Sequence, residues 1–234
     1  MQSGALFSIA VGLVGLLTGG CGAPRPAPPP SPLDLGDARP APRVQRLRVL
    51  ARVDDRYRAI PGYRDRIGEV VDSASDQLAA RFGLYLDLAR VESWSPGGAS
   101  DAPTLLDTLE ALPVPEDVDL VIGVSAAPPP RRARMDDLAR ARYLGRAVLL
   151  RSLTPYFPPA ARRPLHDAEV LALMHGVGRI FGALPTCGTG VMSDRLDFRR
   201  GEPTAWRWHP TNLALVRLHA ALDLRRGAER LPKD

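Results

Sequence analysis

The chain is poor in cysteine, lysine, aromatic residues and long apolar runs. Two cysteines in 234 residues exclude a small fold stapled by several disulfides, so burial has to hold the domain together. Lys233 is the single lysine, and the basic residues, nearly all arginine, lie scattered among acids rather than in blocks. A net charge of +5 spread in this way lacks the contiguous basic stripe of a nucleic-acid binder, and no nucleic acid is expected as a partner. Binding through the arginines would instead predict a steep salt dependence. No apolar run supports several membrane spans, while a hydrophobic share of 45% excludes a chain disordered throughout.

What is present divides the chain into four parts. Ala5 to Leu17 is apolar and uncharged, and the small residues Thr18, Gly19 and Gly20 lead into Cys21. The run is too short for a mature membrane span. Residues 1–21 resemble a bacterial lipoprotein signal, which implies export and a lipid on Cys21; they depart from it in lacking a basic start and in carrying Thr18 where an apolar residue is usual. An ordinary cleaved signal is the second reading. Residues 22–43 hold proline and alanine without apolar periodicity. Such a segment favours polyproline II and serves as a tether holding a domain off a membrane surface. Residues 44–227 carry the periodic segments, and 228–234 form a tail.

Within 44–227 the patterns alternate between strand and helix. Leu47, Val49, Ala51 and Val53 alternate with Arg46, Arg48 and Arg52, the period of a strand. Ile67, Val70, Val71, Ala74, Leu78 and Phe82 recur at helical steps, and Gly83 suits a helix end. Leu84 to Trp94 predicts a second strand, Pro103 to Leu112 a short helix, and the apolar run Val118 to Val124 a strand covered on both faces. Arg146 to Leu153 predicts another strand, Leu165 to Ala183 a helix, and Pro210 to Arg226 a last helix stopped by Gly227. The order predicts an α/β (α+β) domain with a mixed sheet and helices against it.

His175 to Pro185 reads H-G-V-G-R-I-F-G-A-L-P. Beside the zinc-peptidase pattern H-E-x-x-H-x-x-G-x-x-H it keeps the first histidine at His175 and the glycine at Gly182. Six residues on, Val191, Met192 and Ser193 resemble the methionine turn that underlies the metal in the same group. The stretch Val44 to Gly227 is similar to metzincin-type metallopeptidases, in a matrixin-like or archaemetzincin-like form. The resemblance implies a twisted mixed sheet, a long first helix, an active-site-type helix, a methionine turn and a C-terminal helix. It also implies an edge strand that binds extended peptide by strand addition, a role that falls to Arg146 to Leu153.

The remaining motif positions are chemically altered. Gly176 stands at the catalytic glutamate position, Arg179 at the second ligand and Pro185 at the third. A guanidinium has no lone pair to give and places a fixed charge where a divalent cation would sit. Loss of a general base by itself lowers rate about 10²- to 10⁴-fold. These changes predict no zinc, no cofactor of another kind and no peptide hydrolysis. Arg179 is expected in an internal ion pair with Asp194 or Asp197, since an unpaired buried charge is destabilising by several kcal/mol.

Three other histidines are present. His166 suits the start of its helix, His219 a core or boundary position, and His209 a loop within reach of the cleft. With Cys187 as a thiolate, His175, Cys187 and His209 make the alternative zinc site of a working metallopeptidase. The leading expectation is a pseudopeptidase: exported, lipid-anchored at the bacterial cell envelope, and acting on an extended peptide or an envelope protein by binding or as a scaffold.

Overall fold

The computed structural model describes residues 44–130, 133–154, 160–187, 190–195 and 206–226. Cys21, the tether, Asp197, Gly227 and the tail lie outside the described residues. The elements in chain order are β1 (Gln45–Val53), α1 (Asp55–Arg58), α2 (Tyr63–Phe82), β2 (Leu84–Ser93), α3 (Ala102–Glu110), β3 (Leu120–Ser125), α4 (Met135–Leu138), β4 (Ala139–Ala141), β5 (Ala147–Arg151), α5 (Arg162–Ile180) and α6 (Pro210–His219).

Among the described residues, five strands form one sheet in the order β2-β1-β3-β5-β4. β1 pairs in parallel with β2 and β3, β3 pairs in parallel with β5, and β4 alone runs antiparallel, against β5. This is the mixed α/β arrangement that the alternating patterns predict. Alternation along β1 sends Leu47, Val49, Ala51 and Val53 to the face shared with α2 and α5, while Leu50 joins α3 on the other face. β3 is buried throughout, with Leu120, Ile122 and Val124 on the first face and Val121 on the second. The continuous apolar run is the direct consequence of cover on both sides.

The helices show the same logic. α2 buries Ile67, Val70, Val71, Ala74, Leu78 and Phe82, and ends at Gly83, whose φ of 69° is left-handed and whose N–H bonds the Ala79 carbonyl. Asp101 caps α3 by accepting from the Thr104 N–H at 2.9 Å. The last helix is shorter than its pattern predicts. It stops at His219, and Arg225 leaves the helical path to bond Asp119 on the strand side at 2.5 Å.

One expectation about the sheet needs correction. The strand predicted over Arg146 to Leu153 is β5, but it lies between β3 and β4 and is not an edge. All five of its residues are buried, as a strand covered on both faces and on both sides requires. The edge next to α5 is β4, three residues long, too short to carry a readable period.

α5 and α2 are joined by charge as well as apolar contact. Glu169, 2% exposed, accepts from Arg66 Nε and Nη2 at 3.0 and 2.8 Å and from the Leu153 N–H at 3.1 Å. The pair fixes where α5 crosses the sheet and so where His175 sits. Among the described residues no helix is long and apolar enough to cross a membrane.

Candidate functional site: the His175 segment of α5

α5 is buried nearly all round: every residue from Ala168 to Gly178 is buried. A helix wrapped by other elements needs apolar and small side chains on all faces rather than a single stripe. Gly176 and Gly178 are two such positions. A Cβ on Gly176 would lie 2.5 Å from Val148 Cγ1 on β5, and one on Gly178 would lie 2.9 Å from Trp208 Cη2 and 3.0 Å from Met192 Sδ. The glycines let α5 press onto β5 on one side and onto Met192 and Trp208 on the other.

The turn around Met192 is tied at several points. The Thr186 N–H donates to the Met192 carbonyl at 2.7 Å, the Val191 N–H to the Arg207 carbonyl at 2.9 Å, and the Ser193 N–H to the Gly190 carbonyl at 3.1 Å. Met192 is fully buried beneath α5. The turn also points the Val191 carbonyl at α5, where it accepts from His175 Nδ1 at 2.9 Å.

His175, 1% exposed, has its second ring nitrogen engaged as well. Nε2 lies 3.2 Å from Oδ1 of Asp136 on α4. The Val191 carbonyl and the Asp136 carboxylate both offer lone pairs to the ring. The bond from His175 holds the Asp136 carboxyl below the ordinary carboxylate range; partial burial opposes this, and the positive charges of His175, Arg179 and Arg140 add to it.

Arg179 is half-buried and donates through Nη1 to the Ala183 carbonyl at 3.0 Å. The expected ion pair with Asp194 is not formed: the Asp194 main-chain oxygen accepts from the Met135 N–H at 2.9 Å, and its carboxylate does not pair with Arg179. The reason is local. A half-buried guanidinium at the end of a helix meets solvent and an unsatisfied carbonyl, which favour a cation without a carboxylate.

The other candidates are dispersed. Pro185 is exposed, and Gly182 takes a left-handed φ of 83° just past α5. His209 is exposed and caps α6, its Nδ1 accepting from the Thr211 N–H at 3.3 Å. Cys187 is exposed. His166 bonds Ser73 Oγ at 3.0 Å, and His219 donates from Nδ1 to the Phe181 carbonyl at 3.0 Å beneath Tyr143. Among the described residues no three His, Cys, Asp or Glu side chains are grouped as metal ligands. His175, Cys187 and His209 are therefore not brought together.

Zinc in a site of this kind needs three protein ligands with lone pairs free. Here both nitrogens of His175 are already bonded, and neither Arg179 nor the exposed Pro185 has a side-chain lone pair to give. The residues present do not fit the metal. Sequence reasoning missed Asp136, because nothing in the segment Met135 to Leu138 marks it as the partner of a residue 39 positions away.

No protein-family model and no curated protein sequence matches the chain. Among solved structures, an archaemetzincin from Methanopyrus kandleri is similar at a TM-score of 0.57 and 20% identity, over 76% of this chain and 98% of that one. A chain from a chaperone–substrate complex is similar at a TM-score of 0.55 and 12% identity, over 79% of this chain and 35% of that one. At these identities the likeness is one of fold, and the chain has a metallopeptidase-like α/β fold.

Proposed function

We propose that this chain is an exported, lipid-anchored pseudopeptidase: a metzincin-like domain whose metal site has been dismantled and which holds an extended peptide or an envelope protein without cutting it. The observation that carries this reading is the double engagement of His175. Its Nε2 faces Asp136 and its Nδ1 faces the Val191 carbonyl, so coordination would require breaking one of these contacts. Gly176 supplies no carboxylate to take a proton from water, and Arg179 supplies no lone pair. What such a domain retains is β4, the last strand of the sheet among the described residues, whose outer main-chain groups can pair with an added strand.

Zinc analysis and exposure to a degenerate peptide library test this together. The expected result is no stoichiometric zinc and uncut peptides, with a fraction retained on the protein. Stoichiometric zinc that disappears on His175→Ala, or cleavage that disappears with it, overturns the reading in favour of a working peptidase. Anchoring is tested apart. The mature chain is expected to partition with membranes and to carry the added mass of a lipid, and Cys21→Ser to release it. A mature chain without lipid mass removes the anchor and leaves the domain reading intact.

A further inference from the structure

We propose that the Tyr143 hydroxyl is a nucleophile, with His219 as its base, that takes an acyl group from an activated ester. The site does not involve His175 and does not depend on the peptide-binding reading. Three separate parts of the chain build it: the turn between β4 and β5, the end of α5 and the end of α6. The Phe181 carbonyl, just past α5, accepts from His219 Nδ1 at 3.0 Å. A carbonyl only accepts, so Nδ1 carries the hydrogen and, in the neutral ring, Nε2 keeps its lone pair. That lone pair faces the Tyr143 hydroxyl at 3.3 Å. A hydroxyl, an imidazole within reach of its proton and a third group that orients the imidazole are the parts of an activated nucleophile.

The backbone around the pair is set for this approach. Tyr143 follows β4 in a turn closed by the Gly145 N–H on the Arg142 carbonyl at 3.0 Å. The next residue, Leu144, has a φ of 54° and is the one left-handed non-glycine among the described residues. L side chains rarely adopt that region, and it persists where the surroundings over-determine it. Leu144 is buried, and its N–H donates to the Ile180 carbonyl at 2.9 Å, which ties the turn to α5. On the α5 side, Gly182 has a φ of 83°, and a Cβ there would lie 3.0 Å from both His219 Nδ1 and Tyr143 Cε2. Glycine at this point lets the two rings close over the chain, with centroids 5.6 Å apart in an edge-to-face contact. Tyr143 remains 50% exposed, so a small reagent can reach its oxygen.

In the step, the Tyr143 oxygen bonds the acyl carbon while its proton passes to His219 Nε2. The ester C–O bond then breaks, and the departing phenolate takes that proton from the imidazolium. The products are an O-acyl tyrosine and a phenol, with nothing oxidised or reduced. The test treats the full chain with p-nitrophenyl acetate and reads acetyl on each tyrosine by mass, with neutral hydroxylamine to separate tyrosine esters from amides. Tyr85 is the internal control: it is 36% exposed, with the Arg46 guanidinium over its ring and, among the described residues, no imidazole at its hydroxyl. Tyr143 is expected to be acetylated about 100-fold faster than Tyr85, the lower end of what a positioned general base supplies. His219→Asn keeps a donor for the Phe181 carbonyl but loses the Nε2 lone pair, and is expected to slow Tyr143 to the rate of Tyr85 while leaving Tyr85 unchanged. Tyr143→Phe is expected to abolish the fast phase of phenol release. Equal rates at Tyr143 and Tyr85 in the unaltered chain overturn the inference, whether or not His219→Asn folds. A folded His219→Asn that acetylates Tyr143 as fast as the unaltered chain overturns it as well. Steady phenol release with no acetyl on Tyr143 overturns the assignment of the nucleophile.

Discussion

Nε2 of His175 lies 3.2 Å from Oδ1 of Asp136, and this contact joins α5 to α4 at the entrance to the edge strand. His175 is buried, whereas the Asp136 side chain is 43% exposed. The two residues do not have equal stakes in the bond. Removing the aspartate leaves a buried ring nitrogen without its acceptor, and removing the histidine leaves a carboxylate with water at hand. Asp136→Ala is therefore expected to lower unfolding stability by about 1–3 kcal/mol, measured by urea denaturation at neutral pH.

The same contact sets a pH dependence. The Asp136 carboxyl is held below its ordinary value of 3.8, first by the bond from His175. A carboxyl lowered in the folded state contributes stability that is fully present above its unfolded value and is lost as pH falls through the folded one. The stability difference between the unaltered chain and Asp136→Asn is thus expected to be constant from pH 7 down to about 5 and to shrink toward zero in stronger acid. A difference that instead grows as the pH falls would show that the carboxylate is not the stabilising form.

Glu169 is a carboxylate that serves several donors at once. It receives two bonds from Arg66 and one from the Leu153 N–H at the end of β5. Glu169→Ala strands all three and is expected to destabilise by about 3 kcal/mol. Glu169→Gln keeps an acceptor oxygen and should lose less. Equal losses for the two variants would mean that the volume of the side chain, not its charge, secures α2 to α5.

How far these features can be read from sequence depends on where their causes lie. α2 and β3 are legible because burial acts on their own residues: the helical spacing from Ile67 to Phe82 and the apolar run to Val124 follow from which sides are covered. β4 is not, since three residues cannot establish a period, and its absence from the pattern makes β5 look like the edge. The partner of His175 is not legible either. Asp136 is one of two adjacent aspartates after Arg134, and only the packing of α4 against α5 chooses it. The same holds for Arg179, whose need for a carboxylate is removed by its half-exposure and by the Ala183 carbonyl.

Gly176 offers the sharpest separation of two opposing effects. In an exposed helix, replacing a central glycine by alanine is stabilising by about 1 kcal/mol, because the chain loses less freedom on folding. Here the added methyl would sit 2.5 Å from Val148 Cγ1, well inside contact distance. Val148 is β-branched and lies on an interior strand, so it has few rotamers in which to withdraw. Overpacking of this kind is destabilising by about 1–3 kcal/mol, which exceeds the helical gain. Gly176→Ala is therefore expected to destabilise the chain, and to become neutral or stabilising in a Val148→Ala background. The coupling in that double-mutant cycle measures the clash directly. It also bears on restoring the motif. Gly176→Glu, Arg179→His and Pro185→His introduced together meet the same obstruction at Val148 and leave Asp136 on His175 Nε2. The triple variant is expected to remain without zinc until Val148→Ala and Asp136→Ala are added, with metal content read on each folded protein. Stoichiometric zinc in the triple variant alone would show that neither Val148 nor Asp136 guards the position.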